Sequence, residues 1–527
     1  MKKRVVAWIF LSVVLIAVLS FGFFTTGETF KSSPPGELTR SITPTEIQCT
    51  DQDGDNVRIE SYVLVGGGDL PSQIFDSCDV NGDINEQICV GNEPDSFTEP
   101  CSDGFACQRA ACRGVPEWTQ TGFLTAPDAG ETDFFGISVA VSGDVMIVGA
   151  HNDDDLGSNS GSAYAFRNDG DQWVFEQKLL ALDGEASDNF GYSVAIEGDM
   201  IAVGATGDDD TGGASGAVYI FRYIGGQWVE EQKLIASEGL LGDNFGKSVE
   251  IFNDAMVIGA SGADDFGSLS GAAYVFRYND SSAQWGQEQR LTAFGGGEAS
   301  GDRFGWQVSI SGDVLVISSH GDGDNGAAYV FRYVGDQWEE DQKLSASDGV
   351  TGDNFGESVS IYGDTIVVGA WRSKSYDGSV YVFRYENNQW VEKQILTLDA
   401  IGHENFGSSL AVFENMIVVG AQNPDYYAGD KIGRAYVFGY DGLTWAEEVV
   451  LQGDPSSQGS YFGASVGTDG DSIVVGAYSD DGSVPDSGSA FVFQKKCSFI
   501  SDLDGDEDVD EDDLVIFMEQ FGAVCGE

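Results

Sequence analysis

Three observations predict an all-β fold, a seven-bladed β-propeller of four-stranded blades. Phe-Gly recurs at Phe135-Gly136, Phe190-Gly191, Phe245-Gly246, Phe304-Gly305, Phe355-Gly356, Phe406-Gly407 and Phe462-Gly463, and thirteen residues after each glycine stands Gly149, Gly204, Gly259, Ser318, Gly369, Gly420 or Gly476. Each copy continues into a strand of the type Tyr-x-Phe and, in six copies, a further strand that opens on tryptophan. The seventh copy ends at Phe493 without a tryptophan strand, while a surplus one, "EWTQTGFLTA" from Glu117, stands before the first Phe-Gly. Seven sets of four strands whose ends zip together leave no open sheet edge.

The composition agrees. The 527 residues include 71 Gly, 33 Phe, 19 Tyr and 10 Trp but 11 Pro, which suits strands joined by tight turns. A formal charge of -60 excludes nucleic acid and anionic lipid as general partners, because the field of the whole molecule repels phosphate. Cations are the natural counterparts, and both solubility in high salt and divalent-metal binding account for such a charge.

From the N-terminus, Lys2, Lys3 and Arg4 precede an uncharged, mostly apolar run from Val5 to Phe24, the pattern of an export signal. A run of about 20 residues also suffices to cross a bilayer. Residues 1–27 are therefore expected to be a signal peptide or an N-terminal membrane anchor, which makes the protein secreted or tethered at the cell surface. Residues 28–48 read as a linker. Cysteines in an exported chain point to disulfides. Cys49, Cys78, Cys89, Cys101, Cys107 and Cys112 define a stapled module over 49–114 with its pairing open, Cys497 and Cys525 bracket the C-terminus, and no cysteine lies between.

The propeller is expected over 117–494. Within each copy two short alternating runs, such as Ser193 to Ile196 and Met200 to Val203, are joined by Gly198-Asp199; the same slot holds Gly143-Asp144, Asn253-Asp254, Gly312-Asp313, Gly363-Asp364, Glu414-Asn415 and Gly470-Asp471. Most of these residue types tolerate the positive φ of a two-residue hairpin turn. The constant spacing is thus a fixed strand-turn-strand length.

The connections between second and third strands are long and differ from copy to copy, as in "HNDDDLGSNSG" from His151 and "WRSKSYDG" from Trp371. All seven are expected on one face, where variable loops on a constant frame make a binding surface. The candidate ligand-binding residues are His151, Thr206, Ser261, His320, Trp371, Gln422 and Tyr478, which share one repeat position, with Tyr426 and Tyr427; loop aromatics are favoured anchors. Asp153 to Asp155, Asp208 to Asp210 and Asp264-Asp265 offer carboxylates for calcium without a diagnostic ligand spacing.

Catalytic signatures are sparse. The three histidines, His151, His320 and His403, are too few for a multi-histidine metal centre. Gly463-Ala-Ser465-Val-Gly467 matches a nucleophile pattern, but Ser465 falls in register with Ser138, Ser193, Ser248, Ser358 and Ser409, so the repeat explains it. An acidic chain offers too many carboxylates to single out a glycosidase pair.

In the C-terminal segment, residues 497–527, "SDLDGDEDVDEDDLVIFMEQFG" sets Asp502, Asp504, Asp506, Asp510 and Asp513 at loop positions 1, 3, 5, 9 and 12. Asp508 at position 7 would offer its carbonyl, the arrangement by which an EF-hand loop wraps Ca²⁺. A bond between Cys497 and Cys525 would close loop and helix into one unit.

The repeats resemble the FG-GAP repeats of integrin α-subunit propellers and of microbial surface proteins, over roughly Trp118 to Phe493. That resemblance implies a propeller used for extracellular recognition. Two departures stand out: the proline after Gly-Ala is absent in every copy, and a two-residue turn leaves no room for the calcium loop of integrin-type repeats. The tail resembles half of a type I dockerin, with Glu507 where glycine is usual and the second repeat missing, and the cysteine-rich module resembles small stalk modules of microbial surface proteins. Together these imply an exported, non-catalytic recognition or adhesion protein that binds an extracellular protein or glycan, with calcium ordering a docking tag for a scaffold or cohesin-like partner. The alternatives are a propeller enzyme acting on extracellular polysaccharide and a structural envelope component.

Overall fold

A computed structural model describes the chain from Trp118 to Lys495, apart from residues 171, 265–266, 280, 294–299, 399–403, 423–432, 454–458 and 483. Beyond that span it gives strand pairings within residues 46–114: a hairpin of Glu46–Thr50 with Asn56–Glu60, and a sheet in the order Ser72–Cys78, Ile84–Val90, Ala111–Gly114, Phe105–Gln108. Residues 1–27, the eight cysteine side chains, His403, Tyr426, Tyr427 and the calcium loop Asp502 to Asp513 lie outside the described residues. The chain divides into two compact units, one of them Trp118–Lys495 and the other Met1–Glu117 with Lys496–Glu527.

The unit Trp118–Lys495 holds seven four-stranded sheets. Blade 2 is typical, with Phe190–Glu197, Met200–Ala205, Ala217–Ile224 and Gln227–Leu234 paired antiparallel in chain order. Blade 7 takes Ser465–Thr468, Ser472–Ala477 and Ser489–Lys496 and is completed by Glu117–Leu124, the strand that precedes the first Phe-Gly. First strands neighbour one another around a closed ring, the seventh touching the first. Every hairpin between first and second strands turns on a left-handed residue, with φ from 48° at Glu414 to 101° at Gly470.

The core lies between blades. Second strands such as Val145–Ala150 are buried along their whole length, since both faces meet a neighbouring sheet, and they read as continuous apolar runs. One cluster joins Ile147 and Ala165 of blade 1 to Phe190, Ile201, Tyr219 and Trp228 of blade 2; another joins Val474 and Val492 of blade 7 to Phe135, Met146 and Tyr164 of blade 1. Each repeated phenylalanine sits edge-on against the Tyr-x-Phe strand of its own blade, as Phe190 does with Tyr219 at 5.4 Å and Phe221 at 6.0 Å.

The fixed distance between Phe-Gly and Gly-Ala has a steric cause. Gly136 N–H donates to Gly149 O within blade 1 at 2.9 Å, and Gly149 in turn abuts blade 2. A Cβ on Gly149 would stand 2.0 Å from Gly191 O and 2.3 Å from Ser138 Oγ. That hydroxyl donates to Gly191 O at 2.9 Å, so the glycines of adjacent copies and one serine form a joint between blades. The serine repeats, from Ser193 to Gly246 O at 2.8 Å through Ser409 to Gly463 O at 2.8 Å. Blade 4 confirms the logic by exception: Gln307 stands in the serine slot, and Ser318 fills the space with its own hydroxyl, which accepts from Gln307 N–H at 2.9 Å.

The outer rim is fastened differently. The amide of Gln177 donates to Trp228 O at 2.7 Å and accepts from Trp228 N–H at 2.9 Å, bridging the fourth strands of blades 1 and 2. Gln232, Gln289, Gln342 and Gln394 clasp Trp285, Trp338, Trp390 and Trp445 in the same way. Val449 and Gly122 occupy the glutamine position on the two sides of blade 7.

Candidate ligand-binding face

Two sets of connections share one end of the unit: those from second to third strands, and those from each fourth strand to the next Phe-Gly. They are bonded to each other, as Asn189 N–H to Asn159 O at 3.0 Å and Phe190 N–H to Ser160 O at 2.9 Å, next to a parallel bridge between Gly161 and Phe190. The short hairpin turns occupy the opposite end.

Around the centre of the loop-bearing face the candidate residues fall into aromatic contacts. His151 packs against Phe134 at 5.9 Å and Tyr192 at 5.4 Å; Tyr478 stacks on Tyr461 at 5.0 Å and meets Phe134 at 5.4 Å. His320 lies edge-on to Trp306 at 4.5 Å, and Trp371 contacts Tyr376 at 5.7 Å. Gln422 is half-buried. Thr206 and Ser261, 8% and 5% exposed, offer a ligand little surface.

Sequence reasoning missed half of this surface. Phe134, Arg303 and Tyr461 immediately precede a Phe-Gly pair, and Tyr192, Lys247, Trp306 and Glu357 immediately follow one. The signal was present: these flanks change from copy to copy while the pair itself does not. Lys247 Nζ donates to Tyr192 Oη at 2.5 Å and lies 3.7 Å from the centroid of the Trp306 ring, so one cation joins two aromatic side chains. Arg372 lies 4.5 Å over the Trp371 ring and Arg303 5.4 Å over that of Trp306.

The titrations follow from burial among these cations. Burial, with Lys247 nearby, pushes His151 down to about 4; burial, then Arg303, Lys247 and Arg372, does the same to His320. The Nδ1 atom of each ring is buried without a hydrogen-bond partner. Burial raises the Glu357 carboxyl, against the opposing influence of Trp371, Lys247, Asn354 and Trp306. Deeper along the first strands, burial lifts Glu250 to about 7, opposed by bonds from Ser309 and the Ile310 backbone.

The acidic loops at this end are matched by internal cations. Lys178 Nζ reaches Asp128 at 2.7 Å, Asp153 at 2.9 Å and Asp155 at 2.6 Å, which uses all three ammonium protons, and Tyr164 Oη lies 2.8 Å from Asp153. Lys233 repeats this with Asp183, Asp208 and Asp210. The three carboxylates of Asp128, Asp153 and Asp155 lie close enough to share a metal ion. The ammonium already holds the position such an ion would take, so the donor set does not fit a further cation. Where the lysine becomes Ile395, Ser373 replaces the inner aspartate. Ser465 Oγ donates to Gly136 O at 2.8 Å, which ties it to the inter-blade joint.

The repeats are those of a known family. The FG-GAP repeat family matches residues 118–166, 173–221, 228–276, 285–331, 338–383, 390–438 and 445–493, and the chain belongs to it. Each matched segment runs from the fourth strand of one blade to the third strand of the next, the phase that the tryptophan before the first Phe-Gly marks. No curated protein matches the chain in sequence. Among solved structures, that of Saccharomyces cerevisiae Sqt1 is similar with a TM-score of 0.40 and 11% identity, covering 72% of this chain and 99% of that one.

Proposed function

We propose that this protein is an exported, non-catalytic recognition protein that binds an extracellular protein or glycan through the loop-bearing face. The observation that carries the proposal is the contrast within each repeat. The joint residues and clasps recur blade after blade, while the residues flanking Phe-Gly and following Gly-Ala differ and gather His151, Tyr192, Trp306, His320, Trp371 and Tyr478 around one centre. A rigid frame that presents varied aromatic side chains is suited to recognition. The family's FG-GAP propeller fold is consistent with that role.

The remaining parts of the reading rest on sequence. Residues 1–27 would direct export or tether the chain, 49–114 would form a disulfide-stapled stalk, and Asp502, Asp504, Asp506, Asp508, Asp510 and Asp513 would bind one calcium in a tail that docks on a scaffold. Capture experiments test it. The full chain, a Trp371→Ala/Tyr478→Ala variant and an Asp502→Ala/Asp513→Ala variant are immobilised, and what each retains from the source organism's surface and medium is identified with calcium and with chelator. A partner lost with the first variant belongs to the face, and one lost with the second or with chelator belongs to the tail. Retention of the same partners by all three, or turnover of a polysaccharide by the full chain, would reject the proposal.

A further inference from the structure

The charge of the chain is strongly negative, yet the cations without an ion pair among the described residues are concentrated. Among the described residues most basic side chains are held by carboxylates: Arg167, Arg222, Arg277 and Arg384 by the turn aspartates Asp144, Asp199, Asp254 and Asp364, and Lys178, Lys233 and Lys343 by loop aspartates. Lys247, Arg303, Arg372, Lys374 and Lys495 make no ion pair with another described residue. The first four all lie on the loop-bearing face, over blades 3 to 5, and Lys247, Arg303 and Arg372 all act electrostatically on His320. In a molecule with 86 acidic residues these cations gather on one face, beside the Glu357 carboxyl, whose rise on burial Lys247 opposes.

The cations are mounted on aromatic rings. Lys247 bridges Tyr192 and Trp306, Arg303 lies over Trp306, and Arg372 lies over Trp371 and Tyr376. Stacking fixes a cation while leaving its N–H groups turned outward for an oxyanion. The loop that carries Arg372 is itself held in an uncommon shape: Lys374, Ser375 and Tyr376 have φ of 51°, 64° and 74°, three consecutive left-handed residues without a glycine. Such backbone persists where surrounding structure enforces it and gathers at functional sites.

We propose that this arc, formed by Lys247, Arg303, Trp306, Trp371, Arg372 and Tyr376, binds an anionic polysaccharide, with sugar rings packed against the parts of the aromatic side chains that the cations leave exposed and their carboxylates or sulfates met by the guanidinium and ammonium groups. It deepens the recognition reading above and rests on it. Charge complementarity sets the sign of the ligand. The partly exposed aromatic rings set its shape, because they offer flat surfaces at a mouth built of loops.

The test measures binding of a polygalacturonate oligomer, a neutral glucan of the same length and poly-glutamate to the full chain at rising NaCl. Polygalacturonate is expected to bind, to weaken as salt screens the charges, and to lose about tenfold in affinity in Arg372→Gln and in Trp306→Ala. Arg372 is exposed, so its variant should fold, and an unchanged unfolding temperature verifies it. Arg384→Gln, at the opposite end, should bind as the parent does. Equal binding of the neutral glucan, tighter binding of poly-glutamate, no binding of polygalacturonate, or indifference to Arg372→Gln would each overturn the inference. If the full chain still captures a native partner that Trp371→Ala/Tyr478→Ala loses, the recognition reading survives that failure; if it captures none, both fall.

Discussion

Ser465 Oγ donates to Gly136 O at 2.8 Å, so the last blade grips the first through the same bond that joins every other serine-bearing blade to its successor. The ring is closed at its inner edge by this bond, by Phe135 N–H to Ser487 O at 2.9 Å and by Gly143 N–H to Asp469 at 3.0 Å. Ser465→Ala removes a single neutral hydrogen bond and is expected to destabilise by about 1 kcal/mol. Gly476→Ala is expected to be worse, about 3 kcal/mol, because its methyl group would stand 2.0 Å from Gly136 O in a joint that cannot relax. Urea unfolding of both variants decides this, and a Gly476→Ala protein as stable as the parent would show the joint to be loose.

The outer rim supports a prediction of opposite sign. Gln232→Leu breaks two bonds to the Trp285 backbone and should lower stability by about 2 kcal/mol. Val449 occupies the same position facing blade 7, and Val449→Gln should add a clasp to the Trp118 strand and raise stability by about 1 kcal/mol. Thermal unfolding of the two variants is the check; a fall on Val449→Gln would mean the seam there has a different spacing.

Lys178 answers three carboxylates, one of them, Asp153, 3% exposed. Lys178→Met leaves that buried charge unmatched, and about 3 kcal/mol of destabilisation is expected. The double variant Lys178→Met/Asp153→Ser, which copies the Ile395 and Ser373 pairing of blade 5, should recover most of it. A double variant no better than the single one would refute the compensation.

The pH dependence carries two opposed contributions. His151 and His320, lowered to about 4 from 6.5, stabilise the fold fully above 6.5 and progressively less as pH falls through 4. Glu250, raised to about 7 from 4.5, contributes stability below 4.5 that is lost as pH rises through 7. His151→Phe/His320→Phe should therefore flatten the acid limb of a stability profile, and Glu250→Gln the limb between 4.5 and 7. Profiles parallel to that of the parent would show that neither site titrates differently on folding.

For the tail, calorimetric titration of the full chain should detect one calcium bound through the loop from Asp502, lost in Asp502→Ala/Asp513→Ala. Undiminished calcium binding in that variant would move the site elsewhere.

The frame was legible because its determinants are local and repeated: Phe190 and Gly204 are tied by a fixed hairpin, and the lone tryptophan strand at Trp118 announced the closure. Ser465 was read as part of the repeat, and its bond to Gly136 gives that reading a physical basis. The glutamine clasps were not legible. Gln177 sits in an alternating strand like any solvent-facing polar residue, and its partner Trp228 is brought near by tertiary packing alone. The acidic loops hid their counter-ion for the same reason, since Lys178 lies a whole strand away from Asp153. At the face, the position after Gly-Ala was noticed and the flanks of Phe-Gly were not, although Lys247 and Trp306 vary just as His151 and His320 do.

The strand Ser489–Lys496 leaves blade 7 at the end that bears the hairpin turns, and Glu117–Leu124 enters there, with Lys495 lying 5.8 Å from the centroid of the Trp118 ring. Trp118 and Lys495, the two ends of this unit, therefore lie together on the side away from the variable loops, so one seam carries both of its chain ends and neither crosses the loop-bearing face.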